Sequence, residues 1–198
     1  MPKPKYVVLD TESTGLHSQK YGLIEIGAAV LDKNLEVLDI INYDVKPPKN
    51  TPVSQDALQI NGFTLDRIQK GLPYKESATK FYKFIKKYFP LDRPTYVAQF
   101  YPFDYAIVES MFMSVNMEKQ FEEIVTNAFV DTKVIVLAAN MKADMLNQPI
   151  PFPVPSLSKD GGLADKFNLG QFPAHTALGD VMATIEVLKN LMEYINID

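Results

Sequence analysis

Cysteine is absent from this 198-residue chain, and positive charge is not in excess. The lack of cysteine excludes disulfides, thiolate metal sites and cysteine nucleophiles, and it favours a reducing, cytoplasmic setting. No apolar run reaches the length that spans a membrane, and no secretory signal follows the polar first residues, so no membrane partner is expected. The net charge of −4 argues against a passive nucleic-acid coat, which is usually basic.

What the sequence does contain is enough apolar residues for a folded core. Hydrophobic residues make up 46% and charged residues 22% of the chain, which excludes a disordered protein. The length suits one domain, and no repeat or linker interrupts it, so residues 1–198 are predicted to form a single domain. The last predicted helix ends close to the last residue, which favours a stand-alone or loosely associated protein over a fused unit.

The order of apolar patterns predicts an α/β protein. Three apolar, β-branched segments, KYVVLD, LIEIGAAVLD and LEVLDIINYDVKP, are typical of a three-strand meander, with a polar hairpin turn at residues 32–34. Amphipathic helices then alternate with strands such as TYVAQF and end in a long closing helix. We therefore expect a mixed five-stranded sheet, the meander plus two parallel strands, flanked by helices.

Asp10 and Glu12 end the first predicted strand, in the segment YVVLDTESTGL. Strand residues two apart face the same way, so both carboxylates project from one side of the strand's carboxyl end, where sites form in open α/β sheets. Two like charges this close repel each other, and no Lys or Arg lies between positions 6 and 19. A bound Mg²⁺ or Mn²⁺ is the natural partner, and a solvated turn is the alternative.

Two further segments place acids at the starts of helices. In FYPFDYAIVES, Asp104 falls in the first turn of a helix directly after a strand, where the helix dipole favours a carboxylate. In HTALGDVMAT, the step from His175 to Asp180 turns about 140° net around a helix, so the two cannot share one helix face. We expect His175 on the preceding loop, Thr176 as the N-cap and Asp180 in the first turn. Each acid alone has a solvated alternative, but together they indicate a site.

The segments DTESTGL, FDYAIVES and HTALGDVMAT resemble the three motifs of the DnaQ-like DEDDh 3′–5′ exonucleases. The resemblance runs from about Tyr6 to Leu191, and residue types, order and spacing agree in the first and third motifs. It implies an RNase H-like fold. It also implies hydrolysis of phosphodiester bonds from the 3′ end of single-stranded nucleic acid, with DNA favoured, and release of nucleoside 5′-monophosphates.

The resemblance also implies a role for each acid and for the histidine. Asp10 would bridge two divalent ions, Mg²⁺ or Mn²⁺, and Glu12 and Asp180 would complete the site of the ion that carries the attacking water. Asp104 would act on the second ion, directly or through water. His175 would be the general base, because its ordinary pKa near 6.5 lets it accept a proton at neutral pH.

Four residues are expected to contact the substrate. In the family, the stretch after the first two acids contacts the terminal nucleotide, and here this stretch is Thr14, Gly15 and Leu16. Gly15 would allow close approach of the backbone, and Leu16 could wedge against the base. Phe100, Tyr101 and Phe103 could offer a stacking surface, and at least one of these rings is expected in the core; Phe103 is the one expected to contact the substrate.

Three segments depart from the family pattern or stand outside it. Gln99 and Phe100 occupy the positions where family members commonly carry His-Asn, which puts substrate grip or selectivity in doubt. Gly161 and Gly162 interrupt a segment that is usually a plain helix, so a delayed helix start is expected there. Prolines alternate from 149 to 155, which predicts a stiff, extended segment that either connects two elements or rims the site.

Other functions fit parts of the same pattern. An exoribonuclease of the oligoribonuclease or RNase T type would use the same acids, because nothing in the sequence identifies a reader of the 2′-OH. A non-catalytic module that binds nucleic-acid ends would not need all five catalytic positions filled. A sugar-phosphate or nucleotide phosphatase would share the metal chemistry. Expected partners are a single-stranded DNA or RNA 3′ end and a DNA polymerase or another replication or repair protein.

Overall fold

The chain forms one mixed sheet with helices packed around it, in a computed structural model that describes residues 3–195. The strands are β1 (Pro4–Ser13), β2 (Leu23–Asp32), β3 (Val37–Lys46), β4 (Leu72–Pro73), β5 (Thr95–Ala98) and β6 (Phe129–Asp131). The helices are α1 (Gln55–Asn61), α2 (Leu65–Lys70), α3 (Tyr74–Tyr88), α4 (Tyr101–Met113), α5 (Glu118–Ile124), α6 (Thr132–Met145), α7 (Leu163–Lys166) and α8 (Ala177–Tyr194). None of these helices combines the length and apolarity needed to cross a membrane.

The sheet has the order β4-β3-β2-β1-β5-β6. Strands β1, β2 and β3 form the predicted antiparallel meander, while β5 runs parallel to β1 and β6 parallel to β5. The α/β class and the mixed sheet are therefore confirmed, but the sheet has six strands where five were expected. The extra strand is β4, whose two residues pair with the end of β3, and its proline makes it hard to predict from pattern alone.

Local signals in the sequence explain where two elements begin and end. The predicted polar turn joins β2 to β3, and the side chain of Asp32 accepts from the backbone N–H groups of Asn34 and Glu36. The double glycine delays α7 to Leu163, as expected. A side chain at Gly162 would place its Cβ 2.5 Å from the carbonyl oxygen of Ser158, so the turn before α7 requires glycine on steric grounds.

Helices cover both faces of the sheet. The apolar stripe of α3, including Phe81 and Ile85, packs with α4 and α5 on one face. Helix α8 covers the other face, where Val181 and Ile185 contact Val8 of β1. A smaller cluster joins α6, α7 and the far side of α8. This packing places the start of α8 and the start of α4 beside β1, on opposite faces of the sheet.

Asp131 connects three elements at the edge of this arrangement. It lies at the end of β6, is 5% exposed, and caps α6 by accepting from the backbone N–H of Lys133 at 2.9 Å. Its carboxylate also accepts from the backbone N–H groups of Phe100 and Tyr101, at 3.1 Å and 3.0 Å, where α4 begins. One buried carboxylate therefore fixes the entry to α4 as well as the start of α6.

Replacing Asp131 with alanine should destabilise the protein by about 2–4 kcal/mol. The loss combines a missing cap, about 1 kcal/mol, with buried N–H groups left unpaired at about 1–3 kcal/mol. Thr64→Ala is the matched control, because the exposed hydroxyl of Thr64 caps α2 and, within residues 3–195, accepts from Arg67 alone, at 3.1 Å. The control should lose about 1 kcal/mol in urea unfolding, and equal losses in both variants would contradict the connecting role of Asp131.

Candidate active site

Asp10 and Glu12 lie near the carboxyl end of β1, with β2 on one side of the strand and β5 on the other. Both side chains are half-buried. They continue the face of β1 on which Val8 packs against α8, because strand side chains alternate and residues 8, 10 and 12 share one face. The predicted projection of both carboxylates to one side is therefore confirmed, and that side is the one covered by α8.

The start of α8 has the geometry that its sequence predicts. Thr176 is the N-cap, with its hydroxyl accepting from the backbone N–H of Gly179 at 3.2 Å, and Asp180 lies in the first turn. His175 precedes the cap on an exposed loop, with a φ of 60°. This left-handed conformation turns the chain sharply into α8.

Three of the predicted acids come together. Oxygen atoms of Asp10, Glu12 and Asp180 lie within 4.8 Å of one another. Carboxylate oxygens are the ligands that Mg²⁺ and Mn²⁺ prefer, and oxygens bound to one Mg²⁺ at 2.0–2.1 Å lie no more than about 4.2 Å apart. Small side-chain adjustments would bring this group around a cation. The donor set and its spacing fit a divalent ion.

Asp104 is placed differently from the other three acids. It lies in the first turn of α4, is 4% exposed, and accepts a hydrogen bond from the hydroxyl of Thr11 at 2.7 Å. Thr11 faces away from Asp10 and Glu12, because it falls between them on β1. Asp104 is therefore outside the group of three, yet its charge is close enough to raise the pKa of Asp10.

Burial raises the pKa values of all four carboxyls, and repulsion from neighbouring carboxylates, Glu25 among them, adds to the rise. Burial is the largest cause for each, and it raises the pKa of Glu12 and of Asp104 to about 8 and that of Asp180 to about 6. The pKa of Asp10 is raised well above its ordinary value by burial, then by Asp104, Asp180 and Glu12. Nearby His175 opposes the rise for Asp180. The cluster therefore disfavours its own ionised form and favours a cation.

Glu25 is a buried acid that sequence reasoning did not identify as part of this site. It pairs with Glu12 across β1 and β2 and is 2% exposed. One of its oxygens accepts from the backbone N–H of Ala177, the first residue of α8, at 3.0 Å. The other accepts from Asn42 at 3.2 Å and lies 3.6 Å from the guanidinium of Arg67. Glu25 thus ties the start of α8 to the sheet.

Gly27, two residues further along β2, allows the start of α8 to lie close to the sheet. A Cβ at this position would lie 2.7 Å from the carbonyl carbon of Ala177 and 2.9 Å from the nitrogen of Leu178. The backbone of α8 therefore lies directly on β2. A signal for both residues was present in LIEIG, because an acid and a glycine inside an otherwise apolar strand indicate a buried partner and a close approach.

The four predicted substrate residues lie in different environments. Leu16 is 83% exposed, and Phe103 is half-buried in the first turn of α4. Thr14 is fully buried, and its hydroxyl donates to the carbonyl of Pro52 while accepting from Gly22. Gly15 has no room for a side chain, because a Cβ would lie 2.5 Å from the ring of Tyr21. Thr14 and Gly15 thus shape the loop from within, and substrate contact by all four residues stays a prediction.

Gln99 connects the proline-rich segment to the sheet. Its side-chain amide donates to the carbonyl of Pro155 at 3.0 Å and accepts from the hydroxyl of Thr132. Asn140 holds the same segment by two hydrogen bonds with the backbone of Phe152. The segment is therefore anchored at the carboxyl end of β5, beside the start of α4.

An exonuclease family model and known proteins match nearly the whole chain. The model of a family described as exonuclease, RNase_T, matches residues 7–188. A DNA polymerase III PolC-type from Lactococcus lactis subsp. lactis (strain IL1403) is 28% identical over 193 residues, which cover 98% of this chain and 10% of that protein. The chain spans about a tenth of the length of the curated relatives it matches.

Two solved structures share the fold. The zinc-bound complex of E. coli ExoI with single-stranded DNA superposes with a TM-score of 0.76 at 18% identity, covering 96% of this chain and 42% of that chain. The crystal structure of cell-death related nuclease 4 gives a TM-score of 0.72 at 14% identity, covering 98% and 65%. The RNase H-like fold expected from the motifs is confirmed by these superpositions.

The raised pKa values predict that the metal-free protein loses stability as pH rises. An acid whose pKa is higher in the folded state than in the unfolded state binds more protons when folded, so the free energy of unfolding falls between the two pKa values. This interval runs from about pH 4 to about pH 8 for Glu12 and Asp104, and from about pH 4 to about pH 6 for Asp180. Urea unfolding in EDTA at several pH values measures the slope.

Glu12→Gln should flatten this slope, because it removes one of the titrating groups. Asp66→Asn is the control, since Asp66 is exposed on α2 and pairs only with Lys70 among the described residues. A pH dependence that is equally steep in wild type and in Glu12→Gln would contradict the described burial of Glu12.

Proposed function

This chain belongs to the exonuclease family, and we propose that it is a metal-dependent 3′–5′ exonuclease. It would remove nucleoside 5′-monophosphates one at a time from the 3′ end of single-stranded nucleic acid. The observation that carries this proposal is the convergence of Asp10 and Glu12 from β1 with Asp180 from α8, with oxygens within 4.8 Å of one another. We propose that residues 1–198 act as one exonuclease domain, of which the family match covers 7–188.

The four acids are proposed to hold two divalent ions, Mg²⁺ or Mn²⁺. The charges of Asp104, Asp180 and Glu12 all raise the pKa of Asp10, so its carboxylate is close to all three acids and is suited to bridge both positions. Glu12 and Asp180 would complete one position, and Asp104 would serve the other, directly or through water. When bound, such ions lower the pKa of water and stabilise charge on the leaving oxygen.

His175 is proposed to be the general base. It lies on an exposed loop next to Asp180, and its charge lowers the pKa of that acid, so its ring is close to the carboxylate cluster. In the reaction, a water molecule would attack phosphorus while the imidazole accepts its proton. The bond between phosphorus and the 3′-oxygen would break, leaving a nucleoside 5′-monophosphate and a strand shortened by one residue with a free 3′-hydroxyl.

DNA is the favoured substrate. The curated relatives are named as DNA polymerases, and the structural neighbour from E. coli is a complex with single-stranded DNA. These names also support a polymerase or another replication protein as a partner of this chain. The runner-up, an exoribonuclease of the oligoribonuclease or RNase T type, would use the same acids. Matched DNA and RNA oligonucleotides would separate the two by their relative rates.

A time course on a 5′-labelled single-stranded oligonucleotide tests the proposed function. With Mg²⁺ or Mn²⁺, the label should remain on a ladder of products that shorten by one nucleotide, and chelator should stop the reaction. Release of inorganic phosphate without shortening would indicate a phosphatase instead. Binding of the strand without any cleavage would indicate a non-catalytic end-binding module.

Asp10→Asn should abolish turnover in this assay. The substitution keeps the shape of the side chain but removes the charge that both ion positions would share. Asp66→Asn serves as the control, since it neutralises an exposed acid on α2. Both variants should keep the circular dichroism of the wild type, and substantial residual cleavage by Asp10→Asn would contradict the assignment.

His175→Ala should slow cleavage by about 10²–10⁴-fold, the range for loss of a general base. Because His175 is exposed and is not one of the acids proposed to hold the ions, the Mg²⁺ concentration for half-maximal rate should stay close to that of the wild type. The slower cleavage should appear as a lower kcat, measured at saturating Mg²⁺. A loss of less than about threefold would point to another base.

A further inference from the structure

Phe100 has a backbone conformation that is rare for a large side chain. Its φ is 76° and its ψ is 53°, which is the left-handed region. Glycine and asparagine enter this region readily, whereas bulky residues are outliers there, and such outliers concentrate at functional sites. Phe100 is the N-cap of α4, and its side chain makes no capping hydrogen bond. Its presence here is therefore not explained by the start of the helix.

Neighbouring residues hold Phe100 in this conformation. Its backbone N–H and that of Tyr101 both donate to the buried carboxylate of Asp131. Its carbonyl accepts from the N–H of Phe103 at 3.1 Å. The preceding Gln99 is tied by its side chain to the proline-rich segment. The orientation of Phe100 is thus set on both sides by hydrogen bonds, and the strained position is rigid.

The ring of Phe100 is exposed to solvent and lies beside a positive charge. It is 49% exposed, although an apolar ring gains from burial. The ammonium of Lys133, in the first turn of α6, lies 4.7 Å from the ring centroid. Proteins that bind single-stranded nucleic acid combine aromatic rings, which stack on bases, with cations near the backbone, and Phe100 with Lys133 offers both groups.

Phe100 lies close to the candidate active site. Asp104 follows it by four residues on the same helix, so the two are about 6 Å apart along the helix axis. A nucleic-acid strand advances at least about 3.4 Å per nucleotide, so this offset corresponds to one or two nucleotides. The α4 N-terminus between them also carries the positive end of the helix dipole, which favours a phosphate.

We propose that Phe100 and Lys133 form a stacking subsite for the base of a nucleotide one or two positions to the 5′ side of the scissile phosphate. The proposal rests on the proposed nuclease function and names how that site holds its substrate. The face of the ring opposite Lys133 would stack on the base, and the ammonium would lie near the adjoining phosphate. Because stacking does not depend on hydrogen-bond patterns, this subsite would accept any base.

Phe100→Asn is the variant that tests the subsite. Asparagine tolerates the left-handed conformation, so Asp131 can keep both hydrogen bonds and the fold should be preserved. The Kd for a fluorescent single-stranded DNA, measured by anisotropy, should rise about 5- to 150-fold, which corresponds to the loss of one stacked base. Phe100→Trp should retain most of the affinity, and Leu91→Ala, which removes an apolar side chain that is 93% exposed, should change nothing.

An abasic nucleotide provides the second arm of the test. Four strands are compared, each lacking the base at a different one of the last four positions. The wild type should bind one or two of these strands more weakly than the intact strand. For the strands that the wild type binds more weakly, Phe100→Asn should cause no further loss of affinity. A Kd unchanged by Phe100→Asn on intact strands, or an equal loss on intact and abasic strands, would overturn the subsite. Anisotropy does not depend on turnover, so failure to cleave would count against the proposed nuclease and not against the subsite.

Discussion

Electrostatic repulsion among Asp10, Glu12 and Asp180 is the constraint on which the rest of the structure depends. Half-buried carboxylates this close would separate in their ionised form unless the backbones that carry them were fixed. Asp10 and Glu12 are fixed by strands on both sides of β1, and Asp180 by the apolar face of α8. Burying one large aliphatic side chain contributes about 1.5–3 kcal/mol, so a few such contacts offset the repulsion.

The start of α8 is the place where contacts with the sheet oppose this repulsion most directly. Glu25 accepts from the N–H of Ala177, and Gly27 lets the helix backbone lie on β2. Glu25 adds negative charge to the cluster, since it raises the pKa values of Glu12 and Asp180, yet Arg67 lies 3.6 Å from it. The same residue therefore anchors the helix and strengthens the demand for a cation.

Local strand and helix periodicities were sufficient to predict where Asp10, Glu12 and Asp180 lie within their own elements. The alternation along β1 placed Asp10 beside Glu12, and the cap at Thr176 placed Asp180 in the first turn of α8. Strand β4 and the role of Glu25 depend on partners 27 and 152 residues away, respectively, which no local pattern encodes. The separate position of Asp104 likewise depends on Thr11, 93 residues earlier, whose hydrogen bond opposes the effect of burial on its pKa.

Phe100 departs from the family pattern at the start of α4 and places an exposed ring on the surface there. The resemblance places Phe100 where family members commonly carry asparagine, which enters the left-handed region at little cost. Here the left-handed conformation is imposed on phenylalanine by Asp131, at a strain of about 1–2 kcal/mol. The entry to α4, and with it the position of Asp104, is thereby kept. An apolar ring replaces the polar amide. A ring fixed in contact with water gains free energy when another flat, apolar surface, such as a nucleic-acid base, stacks on it.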